Sequence, residues 1–79
     1  MQQTVLITGC SSGIGRAAAN AFLEADWRVY STARNPADIE TLGERGCQIA
    51  TLDVTDSDDI DRVTDRIADE SGSVSCLVN

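Results

Sequence analysis

The chain has 79 residues, enough for one small domain and no more. Thirteen acidic residues against six arginines give a net charge of −7, with no lysine and no histidine, and so acidic a surface argues against nucleic acid as a partner. The apolar fraction of 42% is that of a globular protein rather than a disordered one, no apolar run reaches the length of a membrane span, and Cys10, Cys47 and Cys76 lack both the spacing and the histidine partners of a zinc site.

Thr4 to Thr8 is β-branched and apolar and reads as a first strand. The glycine- and serine-rich stretch Thr8-Gly9-Cys10-Ser11-Ser12-Gly13-Ile14-Gly15 follows and opens an alanine-rich helix over residues 13–25, with Ile14, Ala17, Ala18, Ala21, Phe22 and Ala25 on one face. Asp26 and Trp27 turn the chain into a second strand, residues 28–32. Asn35 then caps a short helix with Pro36 in its first turn, which stops between Gly43 and Gly46. Cys47 to Leu52 is a third strand. Asp56 or Ser57 caps a third helix whose apolar stripe is Ile60, Val63 and Ile67, closed by Ser71-Gly72-Ser73, and Val74 to Val78 begins a fourth strand.

Strands alternating with helices through short connections imply an α/β fold with a parallel sheet and right-handed crossovers. The expected course is β-α-β-α-β-α-β with strand order 3-2-1-4, the first two helices on one face and the third on the other. The chain then reverses direction between the first and fourth strands. Open sheets bind ligands at that switch point, at the carboxyl ends of the strands, where the glycine stretch lies.

A strand, a glycine loop and a helix start make a phosphate site, because the helix start offers free N–H groups and partial positive charge. Gly9 allows the tight turn, Gly13 clears a side chain from the pyrophosphate's approach, and Gly15 allows close packing of helix on sheet. Ser11, Ser12 and Ile14 then offer N–H or hydroxyl donors. The spacing is G-x-x-x-G-x-G rather than G-x-G-x-x-G.

The motif Thr8-Gly9-x-x-x-Gly13-Ile14-Gly15 resembles the cofactor motif of the classical short-chain dehydrogenases/reductases. Leu52-Asp53-Val54-Thr55-Asp56 resembles the family's stretch after the third strand, whose Asp contacts the adenine ring. Leu77-Val78-Asn79 is similar to the opening of its Asn-Asn-Ala-Gly motif. The resemblance spans the whole chain. It implies a Rossmann-like doubly wound sheet, residues 1–79 being the N-terminal part of one NAD(P)-binding domain, and a cofactor site of Thr8, Gly9, Ser11, Ser12, Gly13, Ile14, Gly15, Arg34, Asp53, Val54 and Asn79. For Asp53 the alternative is a residue that ends the strand and caps the next turn.

An NAD enzyme places Asp or Glu at the end of the second strand to accept from the ribose 2′-hydroxyl. Here Ala33 stands at that place and Arg34 follows, a guanidinium suited to a 2′-phosphate. NADP(H) is therefore expected over NAD(H), which stays as the alternative. Arg16, just past Gly15, either reaches a phosphate or lies on the helix surface. Cys10 reads as a space-filler. The acidic third helix, with seven acids between Asp56 and Glu70 and Arg62 and Arg66 among them, reads as a solvated, salt-bridged face rather than a metal site.

In the family, hydride passes between nicotinamide C4 and a carbonyl or alcohol carbon, with a Tyr-x-x-x-Lys pair on a later helix and a serine. This chain has one tyrosine, Tyr30, and no lysine. Tyr30 to Arg34 matches only the spacing and lies on a strand, so no residue here is assigned as catalytic and none as a metal ligand. The expectation is the N-terminal third of an NADP(H)-dependent reductase acting on a small carbonyl or alcohol, cytoplasmic, without a membrane span, and homo-oligomeric in full-length form. The alternatives are a stand-alone NADP(H)-binding module or pseudoenzyme acting through a partner, and a structural role for the open edge of the fourth strand.

Overall fold

The computed structural model describes residues 2–78. The elements in order are β1 (Thr4–Ile7), α1 (Gly13–Glu24), β2 (Arg28–Ala33), a 3₁₀ turn (Pro36–Ile39), α2 (Glu40–Glu44), β3 (Gln48–Thr51), α3 (Ser57–Ser71) and β4 (Cys76–Val78). All strands are parallel and their order is β3-β2-β1-β4, the expected one. Val5 stands opposite Val29 on one side and Cys76 on the other, so β1 is central and all four of its residues are buried. A strand covered on both faces reads as a continuous apolar run, as Thr4 to Ile7 does.

Alternate residues serve the two layers. Val5, Ile7, Val29 and Ala33 join Cys10, Ala19, Ile39, Leu42 and Cys47 beneath α1 and α2. Leu6, Tyr30 and Leu52 meet Val63 and Ile67 of α3 on the opposite face. This is the doubly wound arrangement expected from the alternating pattern. No helix among the described residues is long and apolar enough to cross a membrane.

Three local expectations are corrected. The buried side of α1 carries Gly15 and Ala19, with Ala18, Phe22 and Leu23 packed against the core, while Ile14 is 85% exposed. So many alanines make every face of this helix mildly apolar, and the close approach of Gly15 to the loop decides which one docks. The second helix is broken in two: Asn35 caps the 3₁₀ turn by accepting from the Ala37 amide, and backbone φ −124° at Ile39 interrupts the spiral before α2. Ile39 is wholly buried, so packing on the sheet overrides continuous helix geometry. The fourth strand begins at Cys76 rather than Val74, which is exposed.

Candidate functional site

The site begins with Gly9, whose φ of +67° belongs to the left-handed region and turns the chain sharply out of β1. The next residue is fixed to the neighbouring strand, the Cys10 amide donating to the Thr32 carbonyl at 2.9 Å. The Cys10 thiol is buried and donates to the Ile7 carbonyl at 3.3 Å, and burial raises its pKa, so it fills space under the loop. Ser12 then folds the loop on itself. Its amide and its hydroxyl both donate to the Gly9 carbonyl, at 3.1 and 2.9 Å, and the hydroxyl accepts from the Gly15 amide at 3.1 Å.

This departs from the expectation that Ser12 offers its donors to a ligand: they hold the loop, and the side chain caps α1. With the Gly15 amide capped, those of Gly13 and Ile14 have no protein partner among the described residues. They are the free N–H groups at the positive end of α1. A Cβ on Gly13 would meet nothing, so the loop's outer side is open there. One on Gly15 would press on the Gly9 carbonyl oxygen and lie 3.0 Å from Cys10 Cα. The glycines thus divide the work: Gly15 seats the helix on the loop and Gly13 keeps the approach to the amides clear. These features fit a bound phosphate group.

The ends of β2 and β3 form the other side. A cavity of about 280 Å³ is lined by Gly9, Ser11, Ala33, Arg34, Asn35, Asp38, Leu52 and Val54. It brings the loop together with Arg34 and Val54, as the sequence implies. Arg34 is exposed, with its Nε 3.9 Å from Asp53 Oδ1. That oxygen also accepts from the Thr55 hydroxyl at 2.6 Å and the Thr55 amide at 2.9 Å, and these bonds, the hydroxyl's first, lower the Asp53 pKa below the usual carboxylate range. Asp53, two residues past the end of β3, thus caps the turn through Thr55, and its carboxylate stays an acceptor. Its amide is held in turn by Asp59 Oδ2 at 3.1 Å. Thr8 ties the loop to β4, its amide donating to the Val78 carbonyl at 2.9 Å, and Asn79 lies outside the described residues.

Sequence reading missed the residues that support this pocket from a distance. Asp59 is one. Arg16 was expected either to reach a phosphate or to lie on the helix surface; its guanidinium instead donates to the Asp38 carbonyl and the Thr41 hydroxyl, each at 2.8 Å. A guanidinium just past a glycine loop was the only signal, and its partners lie more than twenty residues away. A larger hollow of about 520 Å³ lies at the outer side of β3, but its arginines are already paired, Arg62 with Asp59 and Arg66 with Glu70 and the Ile49 carbonyl. Among the described residues no group of three or more His, Cys, Asp or Glu side chains could hold a metal ion.

With this geometry in view, a family model described as short chain dehydrogenase matches residues 3–79. The chain belongs to the short-chain dehydrogenase family. It is 43% identical over 79 residues to a short-chain dehydrogenase/reductase of Pestalotiopsis microspora, covering 99% of this chain and 28% of that protein. It is 42% identical over 81 residues to a sorbitol dehydrogenase of Cereibacter sphaeroides, covering 98% and 31%. The crystal structure of a short-chain dehydrogenase from Streptomyces avermitilis superposes with a TM-score of 0.93 at 36% identity, covering all of this chain and 30% of that one. The chain thus spans less than a third of the length of each of these relatives. Members of this family are oxidoreductases that use nicotinamide dinucleotides, and the region matched here is the N-terminal, sheet-opening portion.

Proposed function

We propose that this chain is the dinucleotide-binding part of an NADP(H)-dependent oxidoreductase that moves hydride to or from a carbonyl or secondary alcohol carbon. One observation carries the reading: Gly9 and Ser11 of the glycine loop line the same cleft as Ala33 and Arg34, and the free Gly13 and Ile14 amides follow directly along that loop. The amides and the positive end of α1 attract the pyrophosphate, with Ser11 beside them, while Gly9, Ser12 and Gly15 hold the loop's shape. At the ribose end Arg34 supplies a guanidinium for the 2′-phosphate. Ala33 supplies no carboxylate for a 2′-hydroxyl and none to repel the phosphate. The Arg34–Asp53 contact is long and exposed, so it costs little to exchange for a phosphate. Asp53, kept ionised, accepts from the adenine amino group with Val54 alongside. Thr8 belongs to the same site, and the family resemblance assigns Asn79 to it as well.

When bound, the nicotinamide supplies or takes the hydride, and the residues here bind and orient the molecule that carries it. None of them is assigned to proton transfer. Tyr30 is buried on β2, with its hydroxyl bonded to Glu70 Oε1 and Ser71 Oγ, both at 2.9 Å. The reading extends to a small-molecule substrate, a cytoplasmic location and a homo-oligomeric whole protein, as in an enzyme whose substrate and proton-transfer groups come from other segments.

Calorimetric titration with NADPH and NADH tests it. NADPH is expected to bind more tightly by about tenfold or more, with Arg34→Ala erasing the difference. Equal affinities overturn the NADP(H) assignment, and no binding of either overturns the dinucleotide reading itself.

A further inference from the structure

Arg16 joins two ends of the cleft that the sequence keeps apart. Its backbone belongs to the first turn of α1, the amide donating to the Ser12 carbonyl at 3.0 Å, so its position follows the glycine loop. Its guanidinium crosses to the segment after β2. One nitrogen, Nη2, donates to the Asp38 carbonyl and the other, Nη1, to the Thr41 hydroxyl.

Asp38 is not an arbitrary anchor. It lines the same cavity as Arg34 and Asn35, and its amide donates to the Asn35 carbonyl at 3.0 Å. The connection therefore runs from the loop through Arg16 to Asp38, on to Asn35, and by one covalent step to Arg34. Two donors of one planar guanidinium reach two acceptors three residues apart, which fixes the orientation of the segment as well as its distance. The segment is otherwise held by β2 at Ala33, whose carbonyl accepts from Leu52, by the long Arg34–Asp53 contact and by the buried Ile39 and Leu42, while Arg34, Asn35, Pro36, Ala37 and Asp38 are all exposed.

We infer that Arg16 is a positioning residue that sets the distance between the phosphate-binding amides of the glycine loop and the wall carrying Arg34, and so tunes discrimination for the 2′-phosphate. The inference rests on the NADP(H) reading above. With the guanidinium engaged on Asp38 and Thr41, Arg16 acts through the wall and not by touching the phosphate. Its removal should weaken the contact made by Arg34 and spare those made by the loop.

The test measures dissociation constants for NADPH and NADH in the intact protein and in four variants. Arg16→Ala should raise the NADPH constant by about three- to tenfold while the NADH constant stays within about twofold. Arg16→Lys, able to reach one acceptor, should recover part of the loss. Thr41→Val removes one acceptor and leaves Arg16 in place, so it should weaken NADPH in the same direction by a smaller factor. It also decides the matter should Arg16→Ala fail to fold.

If Thr41→Val leaves NADPH binding unchanged or tightens it, Arg16 is not positioning the wall and the inference is overturned. An Arg16→Ala effect equal for both nucleotides, or no effect on either, overturns it as well. Arg34→Ala separates this from the parent reading. If it leaves the NADPH-to-NADH ratio unchanged, the NADP(H) assignment fails. If it collapses the ratio while Arg16→Ala does not, only the positioning role fails.

Discussion

Two glycines show how much a single hydrogen in place of a methyl matters here. A Cβ at Gly15 would press on the Gly9 carbonyl and lie 3.0 Å from Cys10 Cα, and both are backbone, fixed by the loop's own hydrogen bonds. A Cβ at Gly43 would crowd Ile49, reaching within 3.1 Å of Cγ1, but these are atoms of one partly buried side chain rather than backbone. Gly15→Ala is therefore expected to destabilise by about 1–3 kcal/mol and to weaken NADPH binding. Gly43→Ala should cost less, because alanine returns up to about 1 kcal/mol of helix propensity. Urea unfolding of the two variants side by side checks the order, and equal losses would contradict it.

Glu70 carries the pH dependence at this scale. The Tyr30 hydroxyl that donates to it lowers its pKa below the ordinary 4.5, with Arg66 beside it adding to the effect. The folded carboxylate takes up its proton less readily than the unfolded one, so acid favours unfolding. The stabilisation is complete above the ordinary value and disappears as pH falls through the lowered one. Asp53 acts in the same direction from an ordinary 3.8. Stability should therefore be flat from neutral pH down to about pH 5 and drop below that. Glu70→Gln should lower the plateau and make the drop shallower, and an unchanged acid limb would assign the drop to other carboxylates.

Among the elements, α1 depends on its cap. Ser12 satisfies the Gly15 amide and returns two hydrogen bonds to the Gly9 carbonyl. Ser12→Ala should cost about 1 kcal/mol from the cap alone, and Ser12→Asp less, because a carboxylate also accepts at a helix start. Thermal melts of the two variants would show it, and a loss as large for aspartate as for alanine would argue against the cap.

The strands were legible because short apolar or β-branched runs stand between turn signals, and their parallel arrangement because strands alternate with helices. The loop was legible because its glycines follow a strand and open a helix. The docking face of α1 was not, since alanine on all sides leaves no contrast for a 3.6-residue period to reveal. The break at Ile39 was hidden for a related reason: local signals after Pro36 favour a helix start, and only the sheet beneath explains why the spiral stops and restarts. Arg16 with Asp38 and Thr41, and Asp59 with the Asp53 amide, are contacts across the fold. Side-chain reach across a gap of twenty-odd residues leaves no local pattern.

As a whole, the chain exposes 4638 Å², close to the roughly 4600 Å² expected of a folded monomer of its mass, 8.4 kDa. The two layers are unequal, however. The α1 and α2 side is closed, whereas on the α3 side Val54, Ile60 and Leu77 stay exposed around an apolar hollow of about 270 Å³ that Leu6 and Leu52 also line. In this chain β4 is also an outer strand of the sheet. An apolar hollow beside an outer strand invites pairing with another chain. The isolated 79-residue chain should therefore self-associate as its concentration rises, despite its net charge. Leu77→Lys should suppress this in sedimentation velocity, and a monomer at all concentrations would show that the hollow is too shallow to matter.

Trp27 lies far from all of this, at the turn that leads into the amino end of β2, with its ring edge-on to Phe22 at 4.9 Å between centroids. It is the only tryptophan in the chain. The glycine loop and the cleft beside Arg34 sit at the opposite ends of the strands. The indole emission therefore responds to the integrity of the α1 layer, while a reduced nicotinamide is seen through its own, redder emission. Loss of structure and loss of ligand fall in two separate optical bands, and a variant that empties the cleft is distinguishable, in one cuvette, from one that melts the protein.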